Sequence, residues 1–158
     1  MTNRLEKGDT APAITLPATN DRQVNLSQPK GKGLVLFFYP KDSTKGCTTE
    51  AQDFSALKSA FEALNVEIIG ISRDSLASHE KFIIKSDLTV ALASDEDGAA
   101  SEAFGVWVEK SMYGKTYMGI ERSTFLIGSD GKVAELWRKV RVKGHAETVL
   151  EATKTALG

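Results

Sequence analysis

Cysteine is almost missing from this chain: among 158 residues only Cys47 carries a thiol. One sulfur cannot close a bridge within its own chain, which excludes a disulfide-stapled extracellular fold. Histidine is scarce too, and His79 and His145 stand too far apart for metal-ligand spacing. With a single cysteine no zinc cluster is legible, and no metal or cofactor is expected. Charge of one sign is lacking: 20 basic residues face 21 acidic ones, for a net charge of −1. Nothing electrostatic therefore points to nucleic acid or an anionic membrane. The longest apolar run, Leu34-Val35-Leu36-Phe37-Phe38-Tyr39, is far too short to span a bilayer. The opening Met1-Thr2-Asn3-Arg4-Leu5-Glu6-Lys7 has no apolar signal core, so a cytoplasmic location is expected. On that basis the acceptor pattern Asn25-Leu26-Ser27 is read as chance.

What remains is an ordinary globular composition, 41% apolar and 26% charged, long enough for one sizeable core. Neither repeats nor linkers divide the chain, so residues 1–158 read as one domain. Gly8, Pro12, Pro17 and Pro29 break the first thirty residues, leaving short extended pieces at 13–16 and 23–25 that can pair as a hairpin. The run 34–39 is continuous rather than alternating, which suits a central strand covered on both faces. After Cys47 the period changes. Ala51, Phe54, Leu57, Phe61 and Leu64 recur at threes and fours, the mark of one amphipathic helix of about four turns. Thr49 and Gln52 fit a capping box at its start. Residues 66–71 follow as a second buried strand.

Strand, helix and strand within about forty residues imply a right-handed parallel crossover. Cys47 then lies beyond the C-terminal end of a parallel strand, where open α/β sheets place their sites. Further on, 76–85 reads as helix, 90–93 as strand and 98–104 as a short helix. Strands 123–127 and 132–137 are joined by the turn Gly128-Ser129-Asp130-Gly131, and 145–157 closes the chain as a helix. The simplest assembly of these parts is an α/β, thioredoxin-like fold: a central mixed sheet flanked by helices, with an N-terminal hairpin extension.

A free thiol has a pKa of about 8.5, and the thiolate is the nucleophile. A helix start and a nearby cation both favour it. The first is expected after Cys47; the second cannot be read by counting, since six arginines are available. Gly46 permits close backbone approach, Pro40 stiffens the loop entry, and Thr44 brings a hydroxyl three residues before the sulfur. The polar company of Thr44, Lys45, Thr48, Thr49 and Glu50 favours an ionised, exposed thiol over a buried inert one.

Pro40-x-x-x-Thr44-x-x-Cys47 resembles the signature of the peroxiredoxins. Phe38-Tyr39-Pro40-Lys41-Asp42 and Gly46-Cys47-Thr48-Thr49-Glu50-Ala51 look like the bacterioferritin comigratory protein, or peroxiredoxin Q, group. The likeness runs on through Gly8-Asp9-x-Ala11-Pro12, Ile71-Ser72-x-Asp74 and Ser94-Asp95-x-Asp97-Gly98. Gly105-Val106-Trp107, the stretch Glu109-Lys110-Ser111-Met112-Tyr113-Gly114-Lys115 and Gly119-Ile120-Glu121-Arg122-Ser123-Thr124-Phe125 complete it. The resemblance implies a thiol peroxidase of antioxidant defence. In it Cys47 would attack a hydroperoxide and become a sulfenic acid. Thr44 would hydrogen-bond the peroxide, Arg122 would hold the thiolate, and Pro40 would shield the sulfur. Glu50 would either join that polar network or stand solvated at the helix dipole.

The chain departs from the pattern twice. Relatives carry a second, resolving cysteine either five residues after the first, here Gln52, or in the region Phe82-Ile83-Ile84; Ser101 also lies where some have a cysteine. An internal disulfide is thereby excluded, so recycling falls to an external thiol: thioredoxin, glutaredoxin or glutathione. Lys45 replaces the usual proline and is read as pointing into water. The group implies a monomer. Two rival readings stand beside this one. A Cys-His hydrolase would use His79 or His145, although His79 reads as a solvated helix position and His145 as first-turn. A thioredoxin-fold binding or holdase module would not turn over at all. Trp107, Trp137 and Tyr117 are assigned to core packing and strand faces rather than an aromatic surface, and Gly31-Lys32-Gly33 to a turn.

Overall fold

The computed structural model describes residues 4–157; Met1-Thr2-Asn3 of the segment read for a leader, and Gly158, lie outside the described residues. The apolar run becomes β3 (Gly33–Phe38), buried at every position. Its side chains alternate between two cores. Leu34, Leu36 and Phe38 face one; Val35 and Phe37, followed by Tyr39, face the other. An uninterrupted apolar strand is what two-sided burial demands.

Around it forms a seven-stranded mixed sheet. The N-terminal hairpin is β1 (Thr15–Ala18) with β2 (Arg22–Asn25), in register Leu16↔Val24, and it joins the sheet where Ala18 meets Ala93. β4 (Val66–Ser72) runs parallel to β3, and β5 (Ala91–Ser94) parallel to β4. β8 (Ser123–Gly128) pairs antiparallel with β3 on the other side, and β9 (Val133–Trp137) with β8. The order across the sheet is β2-β1-β5-β4-β3-β8-β9. Four helices give the second core its cover: α1 (Lys45–Ala56) through Phe54, α2 (Lys58–Ala63) through Phe61, α3 (Leu76–Ser86) through Phe82 and α5 (His145–Leu157) through Val149. The first core is closed by α4 (Ala99–Ala103) through Ala100, with Phe104 and Val106 after it.

Two local expectations fail. The single helix after Cys47 is two, α1 and α2 (Lys58–Ala63), broken at Leu57 (φ −99°, ψ 3°). The cause is tertiary: the Ser55 carbonyl accepts from the Thr89 hydroxyl, while Ser55 Oγ takes the Thr89 and Val90 amides. That pulls the backbone out of the helical ladder. The capping box of Thr49 and Gln52 does not form either. The helix begins earlier, at Lys45, with extended Thr44 as N-cap. Thr49 donates instead to the Lys45 carbonyl, and Gln52 reaches the Ser86 carbonyl at the end of α3.

Residues 107–120, left without assigned elements by periodicity, form a separate two-stranded hairpin, β6 (Trp107–Met112) and β7 (Lys115–Ile120). Tyr113 (φ 53°) and Gly114 (φ 77°) make its tip, both in the left-handed region that tight hairpin turns require. Both strands are largely exposed, so no apolar alternation marks them. Tyr117 sits there on a strand face, 45% exposed, outside the core. Trp137 is half-buried beside the second core and Trp107 beside the first, with the Arg73 guanidinium 4.4 Å from the Trp107 ring. No helix among the described residues is long and apolar enough to cross a membrane.

Candidate active site

Cys47 lies in the first turn of α1, just past the carboxyl end of the parallel strand β3. Its place follows from local chemistry. Pro40 ends the strand, residues 40–44 cross to the helix, and Thr44 (φ −85°, ψ 156°) turns the chain into α1. The thiol stands among the first backbone N–H groups of the helix, which have no partners within it and favour negative charge.

The residue is buried, only 1% exposed, against the expectation of an exposed thiol. The burial comes from Cys47 facing inward with Ala51 and Phe54, which belong to the same apolar core. It is not an inert burial, because a cation reaches the sulfur. Arg122, in the short connection between β7 and β8, donates from Nη2 to Cys47 Sγ at 3.4 Å and from Nη1 to Glu50 Oε1 at 2.6 Å. Gly46 leaves room for this approach: a Cβ there would stand 3.2 Å from Arg122 Nη2. Burial disfavours the guanidinium charge, but Glu50 and the sulfur outweigh it, and the Arg122 pKa rises above its ordinary value.

Glu50 is buried, 1% exposed, so the solvated alternative for it is ruled out. Burial raises its pKa to about 7, despite the opposing pull of Arg122. Its second oxygen, Oε2, has no hydrogen-bond partner. Two tendencies meet in this carboxyl: burial favours its neutral form, and the Arg122 guanidinium favours its charged one.

Thr44 is exposed at the loop, and its hydroxyl donates to the Lys41 carbonyl at 2.8 Å. It would have to exchange that bond to donate to a bound peroxide. Pro40 is exposed and lines a cleft of about 500 Å³ with Lys41, Arg73, Trp107, Lys110 and Met118. Lys110 brings a second cation to this side; burial and then the Arg122 charge lower its pKa, and the sulfur acts the other way. Lys45 is exposed, in keeping with the solvated reading. The structure therefore brings together Cys47, Arg122 and Glu50. Thr44 and Pro40 stand in the adjoining loop and cleft.

Neither histidine is hydrogen-bonded to the sulfur, which removes the geometry a Cys-His hydrolase needs. His145 is first-turn, as expected, but its Nε2 shares a hydrogen bond with Thr124 Oγ1 at 2.8 Å. Burial and then the Arg122 charge hold its pKa down at about 4. His79 is fully buried, not solvated, because it pairs with Asp42. Sequence reasoning missed this pair and the burial of Glu50. Helical spacing offered one signal: His79 falls three residues before the core residue Phe82, on the same face of α3. Among the described residues no cluster of three His, Cys, Asp or Glu side chains could hold a metal ion.

At the positions corresponding to a second cysteine, Gln52 is exposed, Ile83 packs against the second core and Ile84 is 82% exposed. Ser101 is buried, its hydroxyl donating to Asp95 Oδ2 at 2.7 Å.

Comparison with known proteins agrees with this geometry. The profile of the AhpC/TSA family matches residues 7–136. Peroxiredoxin Bcp of Xanthomonas campestris is 49% identical over 141 residues, covering 89% of this chain and 88% of its own. Peroxiredoxin Bcp of Bacillus subtilis is 47% identical over 150 residues, covering 95% and 96%. Among solved structures, Xanthomonas campestris peroxiredoxin Q superposes with a TM-score of 0.88 at 46% identity, over 98% of each chain. The bacterioferritin comigratory protein of the same organism, solved in trapped intermediate and ligand complexes bearing on alkyl peroxide reduction, also gives 0.88, at 45% identity and 98% coverage of each chain. With a buried sulfur held by a guanidinium at the head of a helix, on a thioredoxin-like mixed sheet, the chain belongs to the AhpC/TSA family and is a peroxiredoxin, a thiol-dependent peroxidase.

Proposed function

We propose that this protein reduces hydrogen peroxide and organic hydroperoxides by a one-cysteine cycle at Cys47. The observation that carries the reading is the Arg122 guanidinium, which bridges Cys47 Sγ and the buried carboxyl of Glu50. It offers the thiolate a fixed cation and offers the breaking O–O bond a donor. The thiolate attacks one peroxide oxygen, an S–O bond forms as the O–O bond breaks, and with one proton the other oxygen leaves as water or alcohol. Two electrons pass from sulfur to peroxide, and Cys47 becomes a sulfenic acid. Thr44 turns its hydroxyl from the Lys41 carbonyl to the bound peroxide, and Pro40 walls the approach. The alkyl peroxide reduction studied in the Xanthomonas campestris relative supports organic hydroperoxides as substrates.

Since the chain has one cysteine, the second half of the cycle uses an outside thiol. That thiol attacks the sulfenic sulfur and releases water, leaving a mixed disulfide; a second thiol attacks it and returns Cys47 reduced. Thioredoxin, glutaredoxin or glutathione fits this role. The unit is the whole chain as one domain, a cytoplasmic monomer. Oxidation with one equivalent of hydrogen peroxide, followed by mass spectrometry, is expected to show one added oxygen on Cys47, trappable by a sulfenate reagent. Cys47→Ser is expected to abolish peroxide consumption with a thiol donor. Unchanged consumption by Cys47→Ser would sink the proposal, and a holdase would be indifferent to the same change.

A further inference from the structure

A second buried polar cluster lies beneath the loop that delivers Cys47, and the peroxide chemistry does not use it. Asp42 Oδ2 receives His79 Nδ1 at 2.7 Å and the Ser78 hydroxyl at 2.8 Å; Oδ1 receives the Tyr39 hydroxyl at 2.6 Å. The other ring nitrogen, His79 Nε2, is 2.9 Å from the Ala93 carbonyl. Both ring nitrogens face oxygen atoms at hydrogen-bond distance, so the ring is held from two sides. A second tie is the Asp42 amide, which donates to Asp74 Oδ2 at 2.9 Å.

Between Pro40 and Lys45 only Asp42 is buried; its neighbours in the loop are exposed. Ser43 holds the left-handed backbone (φ 62°), which a non-glycine residue adopts only when its surroundings impose it. The loop is thus pinned from the inside at one residue, and its far end is the first turn of α1 carrying the thiol. With Cys47 only 1% exposed, an outside thiol cannot reach the sulfenic sulfur until that turn lifts. Lifting the loop leaves a buried imidazole nitrogen without its partner, which is costly.

We propose that Asp42 and His79 are positioning residues: their buried hydrogen bond holds the loop and first turn closed for attack on peroxide, and its strength limits how often oxidised Cys47 opens to an external thiol. This rests on the external recycling argued above. The cycle is then divided between two states, a closed one that oxidises and an open one that is reduced.

His79→Gln keeps an N–H near the Nε2 position for Ala93 and withdraws the donor from Asp42. His79→Asn does the reverse, leaving an N–H where Nδ1 stood. The two half-reactions are measured apart, oxidation by hydrogen peroxide in rapid mixing and reduction of the sulfenate by dithiothreitol. His79→Gln is expected to slow oxidation about tenfold, as the thiol loses its placement. It is expected to speed reduction about tenfold, as the open state gains population. Amide exchange over residues 43–48 should rise with it, and His79→Asn should restore the wild-type split. Equal changes in both half-reactions, or a fall in melting temperature with neither changed, would overturn the proposal. Should His79→Gln not fold, Asp42→Asn probes the same tie from the loop side with the same readouts. A wild-type chain that forms no sulfenate would defeat the one-cysteine reading instead, while amide exchange in the variants would still decide the latch.

Discussion

At the scale of single residues, the guanidinium of Arg122 serves two partners at once. Its Nη1 satisfies one oxygen of Glu50 and its Nη2 reaches the sulfur. A lysine cannot do both, since its ammonium is a compact point charge without the planar fork. Arg122→Ala is expected to lower the second-order rate of oxidation by hydrogen peroxide by about two to three orders of magnitude, the scale of losing one aimed donor. Arg122→Lys should recover only a minor part. Rapid mixing at neutral pH measures both, and an alanine variant within twofold of wild type would remove Arg122 from the mechanism.

At the scale of elements, α1 carries the thiol, and its inner face fixes where the thiol sits. Phe54, two turns after Cys47, stacks on Phe37 of β3 with ring centroids 4.8 Å apart, and meets His145 of α5 edge-on at 6.0 Å. Helix, strand and last helix are therefore locked by one ring. Phe54→Ala is expected to cost about 3–5 kcal/mol, read by urea unfolding, because a large buried side chain leaves a cavity that the sheet cannot close. A loss below about 1 kcal/mol would mean that α1 is anchored elsewhere. The helical face itself was legible from the spacing of Ala51, Phe54 and Phe61. The break at Leu57 was not, because it depends on Thr89 and Val90, more than thirty residues on.

At the scale of the whole molecule, two buried groups oppose each other in the pH dependence of stability. Glu50 has its pKa raised by burial from 4.5 to about 7. The folded state then binds the extra proton, so this contribution is full below pH 4.5 and is lost as pH rises through about 7. Its size is about 3 kcal/mol, from 1.36 kcal/mol per pKa unit. His145 has its pKa lowered by burial from 6.5 to about 4; its contribution is full above pH 6.5 and is lost as pH falls through about 4. Between pH 4.5 and 6.5 the two slopes offset. Glu50→Gln removes one of them and should make stability fall more steeply on acidification than in wild type. Urea unfolding at several pH values tests this, and parallel curves for the two proteins would contradict it.

The local order of residues by itself determined that a lone thiol follows a buried strand and opens a helix, since both periods and the breaking proline are neighbours in the chain. It also determined that no internal disulfide can form. Only the tertiary structure decided what surrounds that thiol. Arg122 reaches it from 75 residues away. Glu50 is drawn into the interior by that same guanidinium, where its sequence position allowed a solvated carboxylate equally well. His79 becomes a buried partner of Asp42, 37 residues apart, through the packing of α3 under the loop. The exposed hairpin of β6 and β7 escaped notice because strands that bury little carry no apolar alternation. Burial and charge pairing depend on which distant segments meet, and that is settled by the packing of the sheet, not by any stretch of the chain alone.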